Sequence, residues 1–345
     1  MPYQVTVQPS GHQFTVQDDE TILEAALREG FSLPYGCRNG ACGACKGKVL
    51  AGQLDYGVHS PNALKDEEKT QGRALFCRAK PLSDLTIEAK EIGAARDIVV
   101  KTLPCRVEKL EKRADDVMVM KIKLPANERL QFLAGQYIDF QLKDGRSRSY
   151  SLANPPHDDA LLELHIRHVP GGLFSGHVFS TMKERDILRL KGPLGSFFIR
   201  EDSDKPMIFV AGGTGFAPAK AMLEHAFAAH LDREMVLYWG ARSLKDLYMA
   251  ELPLQWLAEH PNFSFIPVLS NPQPDDQWAG RTGLVHEAVL ADFADLSDYQ
   301  VYACGAPAMV DSARASFVAS RKLPEDEFFA DSFVYAADAE TAPAA

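Results

Sequence analysis

Residues 35–45 read Tyr-Gly-Cys-Arg-Asn-Gly-Ala-Cys-Gly-Ala-Cys, and no other stretch of the sequence has so specific a pattern. Its three cysteines follow a C-x4-C-x2-C spacing, and one further cysteine stands alone downstream. Four thiolates at this spacing can hold a [2Fe–2S] cluster. The predicted metal ligands are therefore four cysteines: Cys37, Cys42, Cys45 and Cys77.

The glycines between these cysteines fit a loop that wraps round an anionic cluster. Gly36, Gly40 and Gly43 allow positive φ angles and a close backbone approach, so that amide N–H groups point at the sulfurs. The alternative is a structural zinc site, which usually pairs two C-x2-C units. Only one such unit is present, Cys42 to Cys45. The cysteine spacing therefore favours an iron–sulfur cluster over a zinc site. It predicts a protein that transfers electrons.

The first ninety residues predict a small α+β unit. Apolar residues alternate on both sides of a turn at residues 10–11, which predicts a β-hairpin. Thr21 and Glu24 form a capping-box pattern at the start of a helix that Gly30 ends. The cysteine loop follows at once. This order resembles the β-grasp, plant-type ferredoxins, and the resemblance covers about residues 1–90.

Length and composition bound the class of protein. The 345 residues suffice for two or three domains, and 46% apolar with 24% charged residues is typical of a globular protein. The net charge of −10 and the lack of a basic stretch argue against a nucleic-acid partner. We expect no signal peptide and no membrane partner. Six cysteines then indicate metal and redox chemistry in the cytoplasm.

Strand and helix patterns predict a multidomain protein of α+β and α/β class. Residues 1–92 form the ferredoxin-like unit, and residues 93–102 form a linker. Short apolar alternations over residues 103–203 predict an antiparallel β-barrel. The resemblance of two motifs within it, given below, implies that this barrel is six-stranded and binds a flavin. Over residues 204–335 strands alternate with helices, which predicts a parallel, doubly wound nucleotide-binding sheet. The low-complexity residues 336–345 predict a disordered tail.

The barrel segment contains the run Arg-Ser-Tyr-Ser at residues 148–151. It resembles the R-x-Y-S motif of the ferredoxin reductase superfamily. The resemblance implies that Arg148 binds a flavin phosphate, that Tyr150 packs on the isoalloxazine ring and that Ser151 lies near its N5 atom, with Ser149 also in the site. A guanidinium matches a pyrophosphate, and a phenol ring offers an apolar face.

A second segment, Gly-Gly-Leu-Phe-Ser at residues 171–175, resembles the G-x-x-S segment of the same superfamily. There, backbone amides and a helix N-terminus meet the FAD pyrophosphate, which implies binding roles for Gly171, Gly172 and Ser175. Alone, R-x-Y-S is a weak match whose alternative is a half-exposed strand. The two segments together favour FAD, although the sequence leaves FMN open.

A predicted strand at residues 207–211 runs into Gly-Gly-Thr-Gly-Phe-Ala-Pro and then a helix. Glycines at such a turn let a pyrophosphate reach N–H groups at the helix N-terminus. A proline replaces the third glycine of G-x-G-x-x-G, which argues against an ordinary Rossmann dehydrogenase. The run resembles the G-G-T-G-x-x-P loop of the reductase superfamily. The implied dinucleotide ligands are Gly213, Thr214, Gly215 and Pro218.

The run Cys304-Gly305-Ala-Pro again lies between a strand and a helix. In the superfamily this cysteine lies beside the nicotinamide C4 and the flavin N5, which implies catalytic roles for Cys304, Ser151 and Tyr150 and a binding role for Gly305. The alternative is a small buried apolar residue. For Phe333, in the aromatic run 327–335, the resemblance implies contact with the flavin; the alternative is a last strand on the sheet.

The nucleotide preference depends on residues after the second strand of this domain. No carboxylate lies directly at the strand end, where ribose recognition is expected. Asp246 is a candidate for the ribose hydroxyls, and Arg242 is equally a candidate for a 2′-phosphate. The G-A-R-x-x-x-D-L-Y pattern resembles NADH-dependent oxygenase reductases, so NADH is expected and NADPH stays open.

The complete order resembles the reductase components of bacterial ring-hydroxylating dioxygenases and soluble monooxygenases, and the CDP-6-deoxy-hexulose (glucoseen) reductase group. It implies an enzyme that passes electrons from NAD(P)H through FAD and the cluster to a terminal oxygenase or another redox acceptor protein. We expect a monomer that docks transiently at Arg38, Asn39 and Ala41. Two alternatives stay open: a sugar-deoxygenating dehydrase as acceptor, and a carrier without enzymatic activity.

Overall fold

The computed structural model describes residues 2–93 and 98–334. The predicted tail therefore lies outside the described residues, as do residues 94–97 of the predicted linker. The chain divides into two units. The first unit runs to Val99 and also contains Gly195–Phe197 and Phe329–Val334; the second unit contains Val100–Leu194 and Phe198–Phe328.

The first unit contains a five-stranded mixed sheet, a two-stranded sheet, a helix of two turns and a shorter helix. Its main sheet has the order β2-β1-β7-β3-β5, in which β1 pairs antiparallel with β2 and parallel with β7. The elements are β1 Tyr3–Gln8, β2 Gln13–Val16, α1 Ile22–Arg28, β3 Lys46–Ala51, β4 Leu54–Asp55, α2 Asp66–Thr70, β5 Arg73–Leu75, β6 Lys80–Pro81 and β7 Leu85–Glu88.

Local sequence signals account for the start of this unit. The predicted hairpin is confirmed by the β1–β2 pairing. The predicted capping box is confirmed as well: the Glu24 N–H donates to Thr21 Oγ1 at 3.3 Å, and the Thr21 N–H donates to Glu24 Oε2 at 2.9 Å. Helix α1 then buries Ile22 and Leu23 in a core that they share with Val5. This packing places the cysteine loop between α1 and β3.

The second unit begins with the predicted antiparallel barrel. Its strands have the order β11-β10-β13-β8-β9-β12, and a bridge from Leu152 to Leu164 connects the two ends. Strand β8 begins at Lys101, two residues before the predicted boundary, because Lys101 and Thr102 pair with β13. The elements are β8 Lys101–Ala114, β9 Val117–Lys123, β10 Tyr137–Gln141, β11 Ser147–Ser151, β12 Leu162–Arg167, α3 Leu173–Ser180 and β13 Ile187–Leu194.

The same unit continues with the predicted parallel sheet, in which the strand order is β17-β16-β15-β14-β18. The central strand β14 is buried from Met207 to Ala211, as expected for a strand covered on both faces. The elements are β14 Met207–Gly212, α4 Phe216–Ala228, β15 Met235–Ala241, α5 Glu251–Glu259, β16 Phe263–Leu269, β17 Arg281–Thr282, α6 Val285–Asp292, β18 Gln300–Gly305 and α7 Pro307–Arg321. The last strand, β19 Phe328–Ser332, belongs to the first unit from Phe329 onward.

Strands β15 and β18 pair in parallel with β14 on its two sides. The loops at their carboxyl ends therefore meet at one edge of the sheet, where α/β proteins bind nucleotides. In the aromatic run near the C-terminus, the strand alternative is confirmed for residues 328–332, and Phe333 lies just beyond the strand, half-buried. Within the described residues, no helix is both long enough and apolar enough to span a bilayer.

Candidate cofactor sites

The first unit brings the four predicted metal ligands together in two contacting pairs. Cys42, Cys45 and Cys77 are buried and Cys37 is half-buried. The Cys37 side chain is hydrogen-bonded to that of Cys42, and the Cys45 side chain to that of Cys77. None of these four cysteines forms a disulfide. Residues 40 positions apart in sequence thus place sulfur atoms in one small volume.

The thiols of each pair differ in acidity. The hydrogen bond from Cys42 lowers the pKa of Cys37 to about 5, and the one from Cys45 lowers the pKa of Cys77. The pKa values of Cys42 and Cys45 are raised, because a neighbouring thiolate and burial both oppose a second negative charge. The lowered pKa of Cys37 favours its thiolate form, which is the form that binds metals, and the shift at Cys77 is in the same direction.

Backbone N–H groups surround these sulfurs. The Cys37 N–H donates to Cys42 Sγ and the Ala41 N–H donates to Cys37 Sγ, both at 3.4 Å. An array of N–H donors around four thiolates fits an anionic iron–sulfur cluster, since hydrogen bonds to the sulfurs stabilise its charge. The donor set and its surroundings therefore fit the group that the sequence predicts.

The loop glycines serve this geometry in two ways. Gly40 and Gly43 have φ angles of +81° and +74°, as predicted. The same prediction is wrong for Gly36, whose φ is not positive; a Cβ atom there would lie 3.2 Å from Cys42 Sγ, so the constraint is close approach. Arg38 takes a φ of +57° without being a glycine, which the sequence did not indicate.

Ser196 also belongs to the first unit and holds the start of the cysteine loop. Its hydroxyl accepts a hydrogen bond from the Tyr35 N–H and donates to the Tyr35 carbonyl, both at 2.8 Å. The Ser196 N–H donates to the same carbonyl at 3.0 Å. These residues are 161 positions apart. Sequence reasoning missed Ser196 because no motif surrounds it.

In the second unit, the two predicted flavin segments come together through their aromatic rings. Tyr150 on β11 has its ring centroid 5.4 Å from that of Phe174, in the first turn of α3. Phe174 in turn stacks on Phe140 at 4.8 Å. Burial raises the pKa of Tyr150 above its ordinary value, so the phenol stays neutral. The result is an apolar wall beside the strand that carries Arg148 and Ser151.

The N-terminus of α3 is open to an anion because its N-cap residue, Gly172, has no side chain that accepts a hydrogen bond. A Cβ atom on Gly172 would lie 2.6 Å from Ser175 Oγ. The Ser175 hydroxyl itself accepts from the Val169 N–H at 3.1 Å and so closes the loop. Ser149 similarly donates to Asp139 Oδ1 at 2.6 Å. A helix start without a capping side chain fits a pyrophosphate.

At the edge of the parallel sheet, the loops after β14 and β18 touch. A Cβ atom on Gly215 would lie 2.1 Å from the carbonyl oxygen of Cys304, and one on Gly305 would lie 3.0 Å from the carbonyl oxygen of Gly212. The Cys304 thiol donates to the Gly215 carbonyl at 2.8 Å and is fully buried. Thr214 and Pro218, both buried, complete the turn into α4. The structure thus brings the two predicted dinucleotide segments together.

Arg167 is a residue of this edge that sequence reasoning missed. It ends strand β12 of the barrel, and its Nη1 atom lies 2.6 Å from where a Cβ atom on Gly213 would be. Its Nε atom lies 2.9 Å from Asp116 Oδ2. A sequence pattern could have indicated Arg167. Polar residues at every second position of a mostly buried strand, Glu163, His165 and Arg167, lie on one face of it.

The turn after β15 holds the two candidates for nucleotide preference. Asp246 Oδ2 accepts hydrogen bonds from the Ser243 N–H at 2.9 Å and from the Ser243 hydroxyl at 2.8 Å. Its other oxygen, Oδ1, accepts no hydrogen bond from a described residue. Arg242 is exposed and has neither a hydrogen bond nor an ion pair from its side chain in the part of the chain that the structure describes. Both side chains remain accessible for a ribose.

The fold and these sites define an iron–sulfur flavoprotein oxidoreductase of modular construction. Three family models match successive parts of the chain. They are a 2Fe-2S iron-sulfur cluster binding domain over residues 5–82, an oxidoreductase FAD-binding domain over residues 104–199 and an oxidoreductase NAD-binding domain over residues 209–315.

Full-length relatives have the same organisation. The chain is 39% identical to the CDP-6-deoxy-L-threo-D-glycero-4-hexulose-3-dehydrase reductase of Yersinia pestis, over 97% of this chain and 99% of that protein. It is 38% identical to the reductase component DmpP of phenol 2-monooxygenase from Pseudomonas sp. strain CF600, over 98% and 96%. The crystal structure of the Amycolatopsis cytochrome P450 reductase GcoB matches with a TM-score of 0.76 and 34% identity, over 96% and 98%.

The chain belongs to the family of three-domain ferredoxin reductases with an N-terminal [2Fe–2S] domain. It is an enzyme that passes electrons from NAD(P)H through FAD to a [2Fe–2S] cluster. The predicted fold class, enzyme class and cofactors are thereby confirmed.

Replacing Gly215 with alanine tests the contact between the two dinucleotide loops. The added Cβ atom has no room against the Cys304 backbone, so one loop must move. Because a displacement of about 1 Å can slow a reaction roughly a hundredfold, we expect flavin reduction by NADH, followed by stopped-flow absorbance, to slow by roughly ten- to a hundredfold. Gly176→Ala, where a Cβ atom meets open space, is the matched control. Equal rates in both variants would contradict this geometry.

Proposed function

We propose that this reductase takes electrons from NADH and delivers them to the terminal component of an oxygenase. The observation that carries the proposal is the convergence of four cysteines, three from one loop and Cys77 from beyond β5, in a chain that also has FAD-binding and NAD-binding domains. The relative DmpP, 38% identical over almost the whole chain, is named as a monooxygenase reductase component and supports the choice of acceptor.

When bound, NADH supplies a hydride, FAD takes up its two electrons, and the cluster carries them onward singly. The protein contributes ligands and positioning. In the proposal, Cys37, Cys42, Cys45 and Cys77 bind the iron, and the loop amides stabilise the negative charge on their sulfurs. The reactive chemistry belongs to the bound groups, whereas the residues determine where each group lies.

For the flavin, each proposed residue has a distinct task. Arg148 neutralises a phosphate, and the amides at the start of α3, from Gly172 onward, bind the pyrophosphate. Tyr150, packed on Phe174, supplies the apolar wall for the ring. Ser151 is buried at the end of β11, and we assign its hydroxyl to the edge of the ring. The proposal keeps Phe333 as a further flavin contact.

For the dinucleotide, the amides of Gly213, Thr214 and Gly215 receive the pyrophosphate at the start of α4. We assign Arg167 to the same pyrophosphate, because its guanidinium lies against Gly213 and has a single ion-pair partner, Asp116, among the residues that the structure describes. Cys304 fixes the Gly215 carbonyl through its thiol, which supports a place for it beside the nicotinamide.

The four thiols and the flavin site can be tested independently with Cys42→Ser. Loss of a ligand should remove the cluster, so we expect the rate of NADH-driven cytochrome c reduction to fall by at least about a hundredfold. Mutating even a residue that only hydrogen-bonds to a metal ligand typically lowers metal affinity or activity by about 10–100-fold. Reduction of ferricyanide directly from the flavin should persist. Cys105→Ala, a buried cysteine of the barrel core, is the control and should retain iron. Equal loss of both activities would contradict separate sites.

The assignment of Arg148 is tested by measuring FAD affinity. A charge-assisted hydrogen bond contributes about 1.5–3 kcal/mol, so Arg148→Ala should weaken FAD binding by roughly ten- to a hundredfold. Apoprotein titrated with FAD, followed by quenching of flavin fluorescence, gives the constant. Arg146→Ala is the matched control, because Arg146 lies on the same hairpin, is exposed and pairs with Asp144. A variant Arg148→Ala with unchanged affinity would remove Arg148 from the site.

The preference for NADH rests on Asp246, whose carboxylate both accepts from ribose hydroxyls and repels a 2′-phosphate. Asp246→Asn keeps an oxygen for Ser243 but removes the charge. We expect its kcat/KM with NADH to fall by roughly tenfold, while the value with NADPH stays or rises. Asp275→Asn, an exposed carboxylate, is the control. A wild-type preference for NADPH, reversed by Arg242→Ala, would instead assign the site to a 2′-phosphate.

A dehydrase acceptor is the second candidate, because the Yersinia pestis relative is named as a dehydrase reductase and is 39% identical. NADH consumption assayed with purified oxygenase components and with a sugar dehydrase separates the two. We further propose a monomer in the cytoplasm that docks its acceptor transiently through Arg38, Asn39 and Ala41. Six cysteines without a disulfide support a reducing compartment.

A further inference from the structure

A chain of buried polar side chains crosses from the barrel to the nucleotide-binding sheet within the second unit. The Tyr248 hydroxyl lies 2.8 Å from His165 Nδ1, and His165 Nε2 lies 3.1 Å from Glu163 Oε1. Glu163 Oε1 in turn lies 3.3 Å from Lys220 Nζ. Lys220 lies on α4 and Tyr248 lies in the loop between β15 and α5 of the nucleotide-binding part, whereas His165 and Glu163 lie on β12 of the barrel. The chain therefore joins the two parts at both of its ends.

The protonation states of these groups give the hydrogen bonds a direction. Burial lowers the pKa of His165, which keeps the ring neutral, and burial raises the pKa of Tyr248, which keeps its proton. Burial also raises the pKa of Glu163, but the His165 hydrogen bond and the Lys220 charge outweigh it, so this carboxyl is ionised. Tyr248 therefore donates to Nδ1, and Nε2–H donates to Glu163.

One end of the chain supports the dinucleotide loop. The Tyr248 ring meets Trp239 edge to face, at 5.2 Å and 87°. The Trp239 indole N–H donates to the Gly213 carbonyl at 2.9 Å, and its ring stacks at 4.0 Å on Phe216, the first residue of α4. A displacement of Tyr248 would thus move Trp239, and with it the turn at Gly213 that we propose to bind the pyrophosphate.

The other end is fixed to the segment that follows the flavin motif. Lys220 donates to the Ala153 carbonyl at 3.0 Å, two residues after Ser151. Leu152, between them, bridges to Leu164 on the same strand as Glu163 and His165. The polar chain therefore runs from the segment after the proposed flavin residue Ser151 to the turn proposed to bind the dinucleotide.

We propose that Tyr248 and His165 are positioning residues for hydride transfer, which set the dinucleotide loop in register with the flavin strand. This inference rests on the proposed roles of Gly213 and Ser151. Hydride transfer needs the donor and acceptor atoms at near-contact distance, and its rate depends steeply on their alignment. Apolar contacts permit sliding, whereas a buried, fully satisfied polar chain specifies one arrangement.

Tyr248→Phe tests the proposal, because it removes one hydroxyl and keeps the ring. We expect the limiting rate of flavin reduction at saturating NADH to fall by roughly tenfold, with the NADH dissociation constant, the FAD content and the iron content unchanged. Tyr238→Phe is the matched control, since its hydroxyl bonds Asp292 at 2.7 Å inside the sheet domain. An unchanged rate, or a loss that appears only in the dissociation constant, would overturn the proposal.

A second readout is independent of turnover. Amide hydrogen exchange over residues 244–251, measured without NADH, should be faster in Tyr248→Phe than in wild type and unchanged in Tyr238→Phe; equal exchange in all three proteins would overturn the proposal. Gly215→Ala distinguishes a failure of the positioning proposal from a failure of the proposed dinucleotide site. If that variant slows flavin reduction and Tyr248→Phe does not, the positioning roles of Tyr248 and His165 are wrong and the dinucleotide site stands. If neither slows it, the dinucleotide site itself is misassigned.

Discussion

The structure has to bind three anionic groups in a chain whose own net charge is −10. At physiological ionic strength, charges more than about 8 Å apart in solvent are largely screened, so each site depends on what lies next to it. Backbone N–H groups donate to the sulfurs of Cys37 and Cys42. The first turns of α3 and α4, which no side chain caps, offer further N–H groups. Arg148 and Arg167 add charge where phosphates are expected.

Because these sites depend on backbone N–H donors, glycines lie where the backbone comes closest to a sulfur or to another segment of the chain. Gly36 lies against a sulfur, Gly172 against Ser175, and Gly215 against the Cys304 carbonyl. A methyl group at any of these positions would separate backbone from backbone, or backbone from a ligand atom. The close packing of these loops also buries Cys304 completely, and its thiol donates a hydrogen bond to the Gly215 carbonyl of the opposite loop.

The barrel and the sheet hold different partners of one reaction, so their mutual placement is itself functional. Strand β12 provides the contacts: Glu163, His165 and Arg167 lie on one face and reach Lys220, Tyr248 and Gly213 respectively. Relatives named for different acceptors, a dehydrase and a phenol monooxygenase, are similar over nearly the full chain. Similarity over nearly the full chain therefore does not by itself identify the acceptor.

The sequence by itself determined what depends on residues close together in the chain. The cysteine spacing, the capping box of Thr21 and Glu24, and the glycine turn after β14 follow from local geometry, because a few bonds limit where the neighbouring atoms can be. The prediction of a positive φ was wrong for Gly36, where the constraint is the nearby sulfur of Cys42, six positions along the chain, and not the backbone angle. Only the tertiary structure decided the contacts of Ser196, Arg167 and the Tyr248–His165 pair. These contacts join residues up to 161 positions apart, so no local pattern of the sequence brings their side chains together.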